Sequence, residues 1–188
     1  MSNKAITDGT PYRKYCPCFC EENVWHLVQE SKFEACERIV VLISNTDQTC
    51  LFWQQRAGLD EDMPVLWDYH VVLFVRDGTW VVYDLDTNLP LSIAVETYLR
   101  QSFLGSEMIP ESFRPRFVLF DGDAYVKDFS SDRSHMLDAE GQWLVPPPEW
   151  PAIERERGRG FLDFVQLQML SSDHLSLNEL LAYLARNP

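Results

Sequence analysis

Apolar positions along the chain fall into short runs of two periods. Behind Cys20, the residues Val24, Leu27 and Val28 recur at helical spacing. Two acids, Glu21 and Glu22, occupy the first turn, where the helix dipole favours them. This predicts a helix from Cys20 to about Glu30. Arg38–Ser44, with its apolar run Ile39–Ile43, predicts a central strand, with Leu51–Trp53 as a second. Gln54–Met63 reads as a loop rich in Gly and acids. Two further apolar runs, on either side of Arg76-Asp77-Gly78, predict a β-hairpin. Ser92–Phe103 predicts a helix with Val95, Leu99 and Phe103 on one side and Gly105 as its stop. Phe117–Phe120 is a short strand, and 121–151 reads as irregular, with a stiff Pro146–Pro148. Arg155–Gly160 reads as a basic surface loop. Ser176-Leu177-Asn178-Glu179 is a capping box, opening a helix with Leu177, Leu180, Leu181 and Leu184 inward.

The hairpin turn sets an expected register. A three-residue loop with Gly78 in the left-handed conformation pairs Val75 with Thr79 and brings His70 opposite Asp84. Opposed residues share a face with Cβ atoms about 4.5–5.5 Å apart, close enough for a His–carboxylate hydrogen bond. A two-residue loop would instead place them on opposite faces.

Composition narrows the partners. The 188 residues show no repeat and no linker, which predicts one domain, 1–188, with residues 1–11 as a loose leader. A net charge of −13 argues against nucleic acid or anionic membrane as the main partner. Apolar runs such as Ile39–Ile43 and Val71–Val75 are far too short to span a bilayer. The polar start lacks a secretory signal, and five Cys is an odd count. Together they point to reduced thiols in the cytoplasm or nucleus.

Chemistry needs a nucleophile to join His70 and Asp84. Cys20, at a helix start, is positioned for thiolate stabilisation, although a buried inert thiol is the commoner fate of a free Cys. Cys16, Cys18 and Cys20 alternate and offer a weaker zinc alternative, with no further ligand group to complete it. No Gly-rich phosphate loop is present. Cys20, His70 and Asp84 then stand in the order nucleophile, base, orienter, an order shared by papain-like and transglutaminase-like proteins.

At these residues the chain resembles the protein N-terminal glutamine amidohydrolase family. Cys18-Phe19-Cys20-Glu21-Glu22-Asn23-Val24-Trp25 is similar to its C-x-C-E-E-N-x-W block, and Trp67-Asp68-Tyr69-His70-Val71 to W-D-Y-H-V. Tyr83-Asp84-Leu85-Asp86-Thr87 is similar to Y-D-L-D-T. Ser130–Met136 resembles A-S-D-R-S-H-M, with Ser130 in place of Ala, and Pro146–Pro148 before Trp150-Pro151 resembles a late proline block.

The resemblance implies a thiol amidohydrolase that converts N-terminal Gln of proteins or peptides to Glu and releases ammonia, feeding degradation through N-terminal degrons. It implies a single-domain α+β fold, a mostly antiparallel sheet flanked by helices, related to the transglutaminase and papain-like cores. It also implies a monomer without cofactor or metal. The nucleophile maps to Cys20, the base to His70 and the third member to Asp84. Backbone N–H groups of Cys20 and Glu21 are the candidate oxyanion donors. Asp68 and Asp132 are candidates for the substrate ammonium, Asp132 having an Asx-turn paired with Arg133 as its alternative. Trp67, Tyr69 and Phe19 are candidates for the pocket wall, with core packing as theirs. His135 reads as a structural hydrogen-bonder, and His26 and His174 as solvent-facing. The competing functions are another cysteine enzyme of this type, a peptidase or transglutaminase, or a non-catalytic module that captures peptide N-termini.

Overall fold

The computed structural model describes residues 14–60, 63–154, 161–171 and 173–187, with 161–163 in backbone only. The expected leader 1–11 and basic loop 155–160 lie outside the described residues, as does part of the Gln54–Met63 loop.

The centre is a five-stranded antiparallel sheet. Its strands are β1 (Glu37–Ser44), β4 (His70–Asp77), β5 (Thr79–Tyr83), β6 (Ile93–Ala94) and β7 (Arg116–Asp121), in the order β6-β5-β4-β1-β7. A separate ribbon pairs β2 (Cys50–Phe52) with β3 (Val65–Trp67). β1 and β4 are interior strands with helices over both faces, so their apolar runs are continuous rather than alternating. Val40, Leu42, Val71, Leu73 and Val75 face one core, which holds α1 (Cys20–Leu27), α3 (Gly122–Asp128) and α4 (Phe161–Leu170). Ile39, Val41, Ile43, Val72 and Phe74 face the other, with α2 (Val95–Ser102) and α5 (Leu177–Arg186). The expected α+β architecture is therefore present, as are the helices at 20, 92 and 177, trimmed at their ends.

Three expectations need correction. The hairpin pairs Val75 with Val81 and closes at Asp77–Thr79, leaving Gly78 alone at the tip with φ 79°. The ladder is thus shifted by two residues from the expected pairing of Val75 with Thr79. An even shift keeps every side chain on its face, so His70 and Asp84 still share one, now as diagonal neighbours. Second, 121–151 is not wholly irregular. Asp121 caps α3, its carboxylate accepting from the N–H groups of Asp123 and Ala124. Third, the sequence reading contains no counterpart of α4; Val165 and Met169 are buried while Leu167 and Leu170 are exposed, so apolar residues on both sides blur the helical period.

Gly122 lets α3 approach the sheet. A Cβ there would lie 2.8 Å from the Arg38 Cβ and 3.0 Å from a Val28 methyl. Arg38 meanwhile bonds both the Val28 carbonyl (3.2 Å) and Asp123 (2.7 Å), tying α1, β1 and α3 together. Gly122→Ala is expected to destabilise the protein by about 1–3 kcal/mol, because overpacking outweighs the gain of about 1 kcal/mol in helix propensity. Urea unfolding measures it; a variant as stable as the parent would show that this contact yields freely.

Candidate active site

Cys20 is the first residue of α1, and α1 packs on β4, whose first residue is His70. Asp84 follows the last residue of β5. Cys20 and His70 line a common cavity of about 210 Å³, and Asp84 stands behind the ring. His70 Nε2 meets Asp84 Oδ1 at 2.8 Å, with both side chains buried. The remaining Asp84 lone pairs are filled by Gln55 Nε2 (3.1 Å), Tyr98 OH (2.9 Å) and the Asp86 N–H (2.9 Å). Trp67 stacks near-parallel to the His70 ring and Phe52 meets it edge-on, so the ring cannot rotate freely.

Burial alone would push the Asp84 carboxyl up, but His70 and these donors hold it below its ordinary range. Burial also opposes the charged form of His70, and the Asp84 carboxylate outweighs it, raising the ring's pKa. Cys20 goes the other way. Burial, then the charges of Glu21 and Asp86, drive its thiol well above the usual thiol value. A helix N-terminus contributes about 0.3–1 kcal/mol, too little to offset burial of an ionised group, which costs several. The thiol at rest is therefore neutral, contrary to a thiolate held by the helix start. It donates to Glu21 Oε2 at 3.7 Å.

The other expected residues separate into two sets. Trp67, Asp68 and Tyr69 line the cavity. Asp68 is exposed, one carboxylate oxygen accepting from the Tyr69 N–H at 2.8 Å. Phe19 does not line it; it is fully buried, with the Arg133 guanidinium over its ring. Asp132 is also outside the lining. Its carboxylate accepts from the N–H and OH of Ser134 (2.9 and 2.7 Å), the Asx-turn alternative, although Arg133 pairs elsewhere. The first bond inside α1 runs from the Asn23 N–H to the Phe19 carbonyl, so the N–H groups of Cys20 and Glu21 have no acceptor within the helix. The zinc alternative loses its geometry: Cys18 is left-handed (φ 66°), which breaks the extended alternation, and Cys16 donates to the Pro146 carbonyl. His26 is not solvent-facing. It lies edge-on to Trp25 and Trp150, and burial lowers its pKa to about 4.

Comparison with known proteins agrees with the motif blocks. The family model described as N-terminal glutamine amidase matches residues 15–180. The chain belongs to this family. A zebrafish (Danio rerio) relative named protein N-terminal glutamine amidohydrolase is 36% identical over 166 residues, covering 85% of this chain and 82% of its own. A Homo sapiens relative of the same name is 42% identical over 146 residues, covering 74% of this chain and 71% of its own. One from Caenorhabditis briggsae is 34% identical over 169 residues, covering 88% and 90%.

Within this amidase-family chain, several site residues escaped the sequence reading. Glu21 and Glu22, which the sequence marks only as acids of the first helical turn, are both fully buried. Glu22 forms a two-pronged pair with Arg133 (2.7 Å each) and accepts from the Trp150 indole at 2.6 Å. Glu21 accepts from Tyr69 OH at 3.1 Å, and that hydroxyl also meets His135 Nε2 at 3.1 Å, the structural role expected of His135. Gln55 and Tyr98, which hold Asp84, sit in segments that carry no local signal.

Glu21 has a measurable consequence. Burial raises its carboxyl from 4.5 to about 8, and its Oε1, 3.7 Å from His135 Nε2, has no hydrogen-bond partner. Below pH 4.5 the folded and unfolded chains both hold this proton. As pH rises toward 8 only the unfolded chain releases it, so stability falls with pH across that window. Glu21→Gln removes this slope. Urea unfolding between pH 5 and 8 is expected to show the variant gaining on the parent by on the order of a few kcal/mol. Parallel curves would show that Glu21 is ionised in the fold.

Proposed function

We propose that this chain hydrolyses the side-chain amide of an N-terminal glutamine, giving N-terminal glutamate and ammonia, with Cys20 as nucleophile, His70 as base and Asp84 as its orienter. The observation that carries the reading is the buried His70–Asp84 pair opening on the cavity that Cys20 lines, in a chain of the amidase family.

Each step has a candidate residue to carry it. His70 Nε2 is committed to Asp84, so Nδ1 is the nitrogen that receives the thiol proton. Because the thiol is neutral at rest, its proton moves to His70 as the sulfur attacks the amide carbon. The oxyanion meets the N–H groups of Cys20 and Glu21 at the open start of α1. The imidazolium gives its proton to the departing nitrogen, and ammonia leaves. Water, deprotonated by the same imidazole, attacks the thioester carbon, and expulsion of the sulfur yields glutamate and regenerates the thiol. Asp84 holds the ring tautomer and stabilises its charged form throughout. Trp67 and Tyr69 frame the substrate side chain, with Asp68 at the rim.

A nucleophile on a helix start packed over an antiparallel sheet that bears His and Asp also supports kinship with the papain and transglutaminase cores. The proposal includes a monomeric cytoplasmic or nuclear enzyme that supplies substrates to N-terminal degron recognition.

Two experiments test it. Peptides with Gln at the first position or inside the chain are incubated with enzyme, and ammonia and peptide mass are followed. Conversion to the acid is expected only at the first position, and Cys20→Ala is expected to abolish it while retaining peptide binding. Chain cleavage would indicate a peptidase, amine incorporation a transglutaminase, and equal behaviour of parent and variant a binding module. Asp84→Asn is expected to lower kcat about 10³–10⁴-fold through loss of tautomer control. A loss below tenfold would remove Asp84 from the reaction.

A further inference from the structure

An enzyme that acts on N-terminal but not internal glutamine must recognise the α-ammonium. A buried or half-buried acceptor does so most selectively, because substrates lacking the cation leave it unsatisfied. The acceptor must also be close. In an extended glutamine the α-nitrogen lies about 5 Å from the side-chain carbonyl carbon by standard bond lengths, so the acceptor sits beside the catalytic ring rather than at the surface.

Among the described residues the cavity beside Cys20 is lined by two carboxylates, Asp68 and Asp86, and by no Lys or Arg. Asp68 is exposed at the rim. Asp86 is half-buried, and its carboxylate comes within 4.8 Å of a His70 ring nitrogen. Of the fully buried carboxyls, Asp84 carries four hydrogen bonds, Glu22 holds Arg133 and Trp150, and Glu21, whose burial favours the neutral acid, does not line the cavity.

We propose that Asp86 is the specificity residue that binds the α-ammonium of the substrate's first residue, seating the side-chain amide between Cys20 and His70. This rests on the amidase reading above. Tyr15 OH donates to Asp86 Oδ1 at 2.5 Å, which fixes the carboxylate while leaving its other oxygen for the cation. Desolvation raises the Asp86 pKa, with Asp84 adding to it; His70, Tyr15 and Arg56 pull the other way without cancelling it. A carboxylate so placed gains from an arriving cation. In Tyr83-Asp84-Leu85-Asp86 the two acids then have separate tasks: Asp84 faces the enzyme's own imidazole, and Asp86 faces the substrate.

The test compares two peptides of one sequence, one beginning with Gln and one with its des-amino analogue, in which hydrogen replaces the α-amine. Ammonia release gives kcat/KM for the parent, Asp86→Asn and Asp68→Asn. The parent is expected to favour the Gln peptide. D86N is expected to lose about 10–100-fold on it, the worth of a hydrogen bond to a charged group. On the des-amino peptide D86N loses less than about 3-fold, so discrimination collapses, whereas D68N retains it. Equal losses on both peptides would make Asp86 a positioning residue for His70 and overturn the proposal. So would collapse of discrimination in D68N, or its absence in the parent. A parent inactive on the Gln peptide would instead refute the amidase reading. If D86N does not fold, Asp86→Glu, which keeps the charge one methylene away, takes its place. It is expected to lose more on the Gln peptide than on the analogue, and equal losses overturn the proposal as before.

Discussion

The first turn of α1 is buried, and the rest of the site follows from that constraint. A helix start normally turns its unpaired N–H groups and its acids to water. Here Cys20, Glu21 and Glu22 are pressed against β4 and the loop after α3, so two carboxylates must be accommodated inside the protein. They are accommodated in different ways. Glu22 takes a two-pronged guanidinium and an indole N–H. Glu21 has hydroxyl and thiol partners but no full countercharge in hydrogen-bond contact, and it is held as the neutral acid.

The Glu22–Arg133 pair has reach beyond α1. Arg133 adopts a left-handed backbone (φ 59°), which costs energy for a non-glycine residue and persists only where the surroundings enforce it. Its guanidinium also donates to the Trp150 carbonyl at 2.9 Å. One ion pair thus fastens the 130–136 segment and the proline block over the helix start, and this brings His135 and Met136 to the cavity wall. Removing one partner from such a pair is costly because the other is left charged and buried.

Charge inside the site is therefore rationed. His70 and Asp84 share the one pairing in which proton affinity is raised on the base and lowered on the acid. Cys20 and Glu21, both neutral, sit beside it. Under the proposed reaction, a neutral thiol near an imidazole of raised pKa suits proton transfer during attack rather than a standing thiolate. The helix dipole, which the position of Cys20 in the sequence suggests as the activating influence, is too small to decide the matter against complete burial.

Elements with strong local patterning were legible in the chain: the helix opening at Cys20, the interior strands β1 and β4, the Ser176–Glu179 capping box and the hairpin around Gly78. Cys20, His70 and Asp84 were legible as candidates too, since each stands in a compact motif at the end of an element. The hairpin register was not. Turn residues permit loops that differ by where the ladder stops, and only packing of β4 against β1 selects among them. The His70–Asp84 contact survives because the shift is even. What tertiary structure alone decided is the electrostatic character of each acid. Glu21, Glu22, Asp68, Asp86 and Asp132 are alike in the sequence. They become a neutral acid, a buried ion-pair member, an exposed rim group, a half-buried cavity acceptor and a turn cap only through what lies around them. Burial and partner identity are set by residues up to 128 positions away, as from Glu22 to Trp150, and no local pattern encodes them.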